Sequence, residues 1–109
     1  MKIIIAFTSL ICFSSCSKDK STNLPTSSIP RFNPTIQIII QTNCISCHDV
    51  TSTVPMHDFN SVQLLALSGQ LLGSLTDTSG QYLHMPVGGN LPEQKINEIK
   101  IWIENDCPN

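Results

Sequence analysis

The residues of this chain best able to do chemistry together are Cys44-Ile45-Ser46-Cys47-His48. Two thiols and an imidazole fall within little more than one helical turn. C-x-x-C-H is the spacing of a haem c attachment site. Thiols three residues apart can each add to a vinyl group of one porphyrin. The histidine that follows then brings a ring nitrogen under the iron as an axial ligand. Two other chemistries use the same residues. Cys44, Cys47 and His48 with a fourth ligand such as His57 or His84 would bind zinc tetrahedrally. A thioredoxin-like dithiol also reads C-x-x-C, but it needs a βαβ setting, and no segment here alternates in a strand pattern.

A haem iron held by His48 has a sixth position to fill. Met85, in the run Met85-Pro86-Val87-Gly88-Gly89, offers a soft thioether that favours ferrous iron and so raises the potential. His84 is its neighbour and would give a lower potential. Met56 and His57 lie within nine residues of His48, a short span for passing round a porphyrin edge. An open sixth position is the remaining possibility.

Cys44-Ile45-Ser46-Cys47-His48, Met85-Pro86 with its following glycines, and Ile101-Trp102-Ile103 together resemble the monohaem class I cytochrome c family over roughly residues 29–106. The resemblance implies a small all-α cytochrome c fold, three to four helices around one covalently attached haem c. It implies thioether bonds at Cys44 and Cys47 and axial iron ligation by His48 and Met85. It also implies an N-terminal helix crossing the C-terminal one, and a proline region, here Pro55, in which a carbonyl, that of the proline or of a neighbour, accepts a hydrogen bond from the axial histidine's other nitrogen; the other reading of Pro55 is a turn proline. One C-x-x-C-H means one haem. The chain departs from mitochondrial members in having no ring of lysines for the haem edge.

These residues need elements to hold them. Asn33 as N-cap and Pro34 at the first helical position predict a helix over 35–44, with Ile36, Ile39 and Ile40 on one face. The β-branched run 38–40 is also compatible with a strand. Residues 49–58 read as a loop. A second helix is predicted over 60–75, capped by Asn60 or Ser61, with Leu64, Leu65, Leu67, Leu71, Leu72 and Leu75 as its apolar face. Gly69 and Gly73 weaken that helix. They read as a break or as points of close approach to the porphyrin. Residues 77–91 form the loop that carries Met85. Tyr82 and His84 there read as plain exposed residues, or as a hydrogen-bond partner near the propionates or the methionine sulfur and a rim residue respectively. A third helix starts at Pro92-Glu93 and runs to about residue 105 with Ile96, Ile99, Trp102 and Ile103 aligned; Glu93 suits its positive end. Trp102 is expected against the first helix near the haem edge.

The front of the chain reads differently. Residues 1–15 carry a lysine, an apolar run too short to span a membrane and small residues, ending in Phe13-Ser14-Ser15-Cys16. This resembles a lipoprotein signal peptide, with Cys16 as the lipidated residue. Residues 16–30 are rich in Ser, Thr, Pro and Lys and read as a flexible tether. Ser17-Lys18-Asp19-Lys20 resembles the charged export tags of Bacteroidetes lipoproteins. Residues 31–109 form the expected domain. The protein is therefore expected outside the cytoplasm, anchored through lipid to a bacterial membrane and facing the periplasm or the cell surface.

Of five cysteines, Cys12 falls in the signal, Cys16 takes lipid, and Cys44 and Cys47 take haem. Cys107 is left as an unremarkable terminal residue, so no disulfide framework is expected. Residues 29–109 hold Arg31, Lys95 and Lys100 against seven acidic residues, a net charge of −4. That excludes nucleic acid as a partner and favours redox proteins with a neutral or basic docking face. With both axial positions filled, the expected function is one-electron transfer rather than catalysis. The alternative is a haem-based binding or sensing module, or a haem subunit of a larger respiratory complex.

Overall fold

The structure, a computed structural model, describes residues 28–109. The expected signal peptide, the lipidated Cys16 and the tether up to residue 27 lie outside the described residues. Within them the chain is all-α, with helices α1 (Gln37–Asn43), α2 (Phe59–Leu67), α3 (Gln70–Thr76) and α4 (Glu93–Glu104) and no strand. No described helix is long and apolar enough to cross a membrane.

Helical bonding begins before α1, in a wider turn over Phe32–Ile36 interrupted at Asn33, whose backbone is extended (φ −99°, ψ 122°). The predicted helix over 35–44 is therefore present, and the strand alternative for 38–40 is not. No side-chain hydrogen bond caps this turn. It is fastened from the other end of the domain: the Phe32 N–H donates to the Pro108 carbonyl at 2.8 Å. The Trp102 indole N–H donates to the same carbonyl, also at 2.8 Å. Ile36, Ile39 and Ile40 are buried together with Ile99 and the fully buried Trp102. The Phe32 ring lies edge-on to Phe59 (5.3 Å) and tilted against Trp102 (6.1 Å). The turn before α1 thus packs on α4 through its aromatic and branched residues.

The helix predicted over 60–75 is two helices, divided at Gly69, one of the two glycines read as a break. Gly69 has φ +81°, a left-handed conformation that costs glycine nothing and interrupts α-helical progression. The cap is also earlier than expected. Asp58, not Asn60 or Ser61, is the N-cap; its carboxylate accepts from the Ser61 N–H at 2.8 Å while Ser61 Oγ accepts from the Asp58 N–H at 3.3 Å. The break redistributes the leucines. Val62 and Ala66, one turn apart, are the buried residues of α2, and Leu71 and Leu75 those of α3. Leu64 and Leu67 are 72% and 61% exposed, so they do not belong to the apolar face expected of them. A single unbroken helix would have put all six leucines within reach of one surface; two helices with independent rotation do not.

After α4 the chain reverses through two residues with positive φ, Asp106 (64°) and Cys107 (52°), and the Cys107 N–H donates to the Trp102 carbonyl at 3.0 Å. Cys107 is therefore a core residue, 1% exposed, rather than an unremarkable terminal one. Burial, and the neighbouring Asp106 charge, push its thiol pKa up. Lys95 pairs with Glu98 (3.6 Å) and Lys100 with Glu104 (4.0 Å) on α4, and Arg31 donates to the Asn109 carbonyl at 3.0 Å.

Candidate functional site

A cavity of about 510 Å³ opens between the end of α1, helices α2 and α3, and the loop before α4. Its size suits a small-molecule or cofactor site. All its lining residues fall between Asn43 and Leu91, and none of them is acidic, lysine or arginine. Leu65, Leu71, Leu75 and Leu91 supply apolar wall; Cys44, Cys47, His48 and Met85 all line the same space. Residues 37 apart in sequence, His48 and Met85, thus meet at one cavity, together with both thiols of C-x-x-C-H.

The C-x-x-C-H segment prolongs α1. The Cys44 N–H donates to the Ile40 carbonyl at 2.8 Å, and the Cys44 carbonyl accepts from the N–H groups of Cys47 (3.2 Å) and His48 (2.9 Å). These i+3 and i+4 bonds keep both thiols and the imidazole on one turn. Cys44 is partly buried, which pushes its thiol pKa up, while Cys47 is exposed. The His48 ring is oriented by Nδ1, which donates to the Val54 carbonyl at 2.8 Å. That bond fixes the tautomer and leaves Nε2 as the nitrogen with a free lone pair. Of the carbonyls that the Pro55 region offers, the one that serves belongs to the residue before the proline. Proline restricts its predecessor to extended backbone, so Pro55 still sets where that carbonyl stands.

The loop between His48 and α2 is stitched locally. The Asp49 carboxylate accepts from the Thr51 N–H (2.9 Å) and hydroxyl (2.7 Å), which lowers its pKa. The Met56 N–H donates to the His48 carbonyl at 2.8 Å. This brings Met56 into the cavity wall, buried, although its proximity in sequence to His48 had set it aside. His57 points elsewhere: it is exposed, does not line the cavity, and pairs with Asp58 at 3.2 Å.

Met85 is anchored to α3, its N–H donating to the Ser74 carbonyl at 2.9 Å. The loop leading to it is organised by Asp77, whose carboxylate accepts from the Ser79 N–H (2.9 Å), the Ser79 hydroxyl (2.7 Å) and the Tyr82 N–H (3.0 Å). Those three bonds stabilise the anion and lower its pKa to about 2. The Tyr82 ring then lies on Gly73, where a Cβ would come within 2.7 Å of the ring carbons. Gly73 accordingly admits an aromatic ring against α3, and Tyr82 is not among the residues lining the cavity. Neither is His84, whose Nε2 bonds the Gly89 carbonyl and Asn90 Oδ1, each at 3.0 Å. Trp102 packs near the first helix as expected, but it does not line the cavity either.

Sequence reasoning missed Met56, the Val54 and Ser74 carbonyls, and Asp77. The carbonyls leave no side-chain signal. Asp77 does: Asp-x-Ser, like Asp49-x-Thr51, is the pattern of a carboxylate that caps the backbone two residues on.

Among the described residues no three His, Cys, Asp or Glu side chains form a group that could hold a metal ion. A tetrahedral zinc set is therefore not assembled. Haem attachment needs no such set, because thioether sulfurs bond carbon and the axial ligands come singly. An uncharged, largely apolar cavity with two thiols in its wall, an imidazole with one nitrogen engaged and one free, and a thioether fits a covalently held porphyrin. No family model, no curated protein and no solved structure matches the sequence.

Proposed function

We propose that this chain is a one-electron carrier of the cytochrome c type. One haem c is attached through Cys44 and Cys47, with His48 and Met85 as axial ligands. It works outside the cytoplasm, held at a membrane by lipid on Cys16. The observation that supports this most is that Cys44, Cys47, His48 and Met85 line a single cavity with no acidic, lysine or arginine side chain in its wall. When bound, haem supplies an iron that cycles between ferric and ferrous states.

The protein's residues account for the rest. His48 is held in one tautomer by the Val54 carbonyl, so its Nε2 is available without a competing proton. Met85 offers sulfur from a backbone fixed to Ser74. Leucines exclude water, which disfavours the ferric centre's extra charge and, with the thioether, keeps the potential high. With His48 and Met85 both holding the iron, no coordination position would be left for a substrate, and electron transfer is the chemistry the group would supply. The exposed Leu83 and Val87 in a cavity wall that holds no lysine or arginine suit a redox partner that docks without a basic ring on this side.

The test is to express the chain with a haem c maturation system, then combine a haem stain on a denaturing gel with a potentiometric titration followed optically. Haem that stays with the polypeptide, one couple, and a weak far-red sulfur-to-ferric-iron band are expected. Haem lost on denaturation, or a ferrous form that binds carbon monoxide as fast as an open haem, would overturn the reading.

A further inference from the structure

We propose that His84 is a positioning residue for Met85: its ring closes the segment that presents the sulfur. The inference rests on Met85 being the sixth ligand. The segment from Met85 to Asn90 has little else to order it. Val87 is 76% exposed, and a Cβ added at Gly88 or Gly89 would meet nothing within 4 Å. Gly88 has φ +76°. Two adjacent glycines in open space give this backbone more freedom than any other residues would, and packing does not remove it.

Hydrogen bonds do. Upstream, the Met85 N–H is fixed to Ser74. Within the segment, the Gly89 N–H donates to the Pro86 carbonyl at 3.1 Å and closes one turn. The outer closure is His84. Nε2 lies 3.0 Å from the Gly89 carbonyl, an obligate acceptor, so Nε2 carries the proton; Asn90 Oδ1, also at 3.0 Å, accepts from the same N–H. His84 thereby spans the segment from the residue before Met85 to the residues that end the glycine pair. A thioether is a weak iron ligand, and its bond competes with the freedom of the loop that carries it. A loop ordered beforehand loses less entropy on ligation. Removing the clasp should therefore raise the fraction of protein in which sulfur has left the iron.

Haem-loaded full-length protein, wild-type and with His84→Ala, His84→Gln or Asn90→Ala, would be compared by the far-red ferric band, the reduction potential and the rate of carbon monoxide binding to the ferrous form. His84→Ala should weaken the band, lower the potential and speed carbon monoxide binding on the order of ten- to hundred-fold, the usual range for losing a group that orients a metal ligand. His84→Gln, which keeps an N–H donor of similar reach, should recover most of the wild-type rate. Asn90→Ala, which removes one exposed acceptor and leaves the fold intact, should shift all three readouts in the same direction by less. An unchanged carbon monoxide rate and band in Asn90→Ala and His84→Ala would overturn the proposal, as would a His84→Gln protein no better than His84→Ala. A wild-type protein that already lacks the far-red band would overturn the reading of Met85 itself, including the case in which His84 is the ligand.

Discussion

The Nδ1–H of His48 points at the carbonyl of Val54, 2.8 Å away, and the residue after Val54 is a proline. A donated N–H makes an imidazole more basic, and a more basic axial ligand stabilises ferric iron. Pro55→Gly frees Val54 and loosens that bond without removing it. If haem is held as proposed, the variant should then have a higher potential, by tens of millivolts, since tenfold in relative affinity is about 59 mV for one electron. Potentiometry of the variant checks the sign.

Gly73→Ala should destabilise the protein, although alanine is the better helix former. The new Cβ would lie 2.7 Å from two carbons of the Tyr82 ring. Overpacking of this kind costs about 1–3 kcal/mol, and in a domain of this size each kcal/mol lowers Tm by about 4–8 °C. Pairing the change with Tyr82→Ala should remove the penalty, which a double-mutant thermal series would show.

Acid should loosen the two carboxylate-capped turns. Asp58 and Asp77 both have folded-state pKa values below the ordinary 3.8, Asp77 at about 2, because backbone N–H and hydroxyl groups bond their anions. A depressed value means that the contribution is complete above 3.8 and is lost as pH falls from there towards 2. Helix content followed by circular dichroism should decline over that window. Asp58→Ala should lower Tm by a few degrees at neutral pH, and Asp58→Asn by less, because asparagine still accepts at an N-cap.

Cys107 should resist alkylation until the domain unfolds. Its sulfur is buried and its thiolate disfavoured. If Cys44 and Cys47 are bonded to haem as proposed, Cys107 is the free thiol left among the described residues to report global opening. Its labelling rate should rise steeply at the denaturant concentration where the helical signal is lost.

The Cys44→Ser, Cys47→Ser double variant should be largely unstructured by circular dichroism. Leu65, Leu71, Leu75 and Leu91 line a cavity of about 510 Å³, and with no haem they face water across it. A domain this small has little other core to offset the entropy of ordering its chain.

Much of this was legible in the residues. Ile36, Ile39 and Ile40 at helical spacing announced the first helix, and Ile99 and Trp102 the last, because burial on one face leaves a period. C-x-x-C-H and Met85 announced the cavity wall, because their chemistry is carried by side chains. Three things were hidden. A break at Gly69 or Gly73 was one reading of the glycines, but which of them divides the helix, and that Leu64 and Leu67 then face outward, shows only in the positive φ of Gly69. Asp58 capped in preference to its neighbours because Ser61 lies where it can answer it. The Val54 and Ser74 contributions are backbone carbonyls, which every residue type possesses.

One oxygen atom joins the two ends of the described domain. The Pro108 carbonyl receives both the Phe32 N–H and the Trp102 indole, while the cavity draws on nothing before Asn43 or after Leu91. Disturbing Pro108 would therefore leave a backbone N–H and an indole N–H without their acceptor at once, so the front of the domain and the buried face of α4 depend on the same residue.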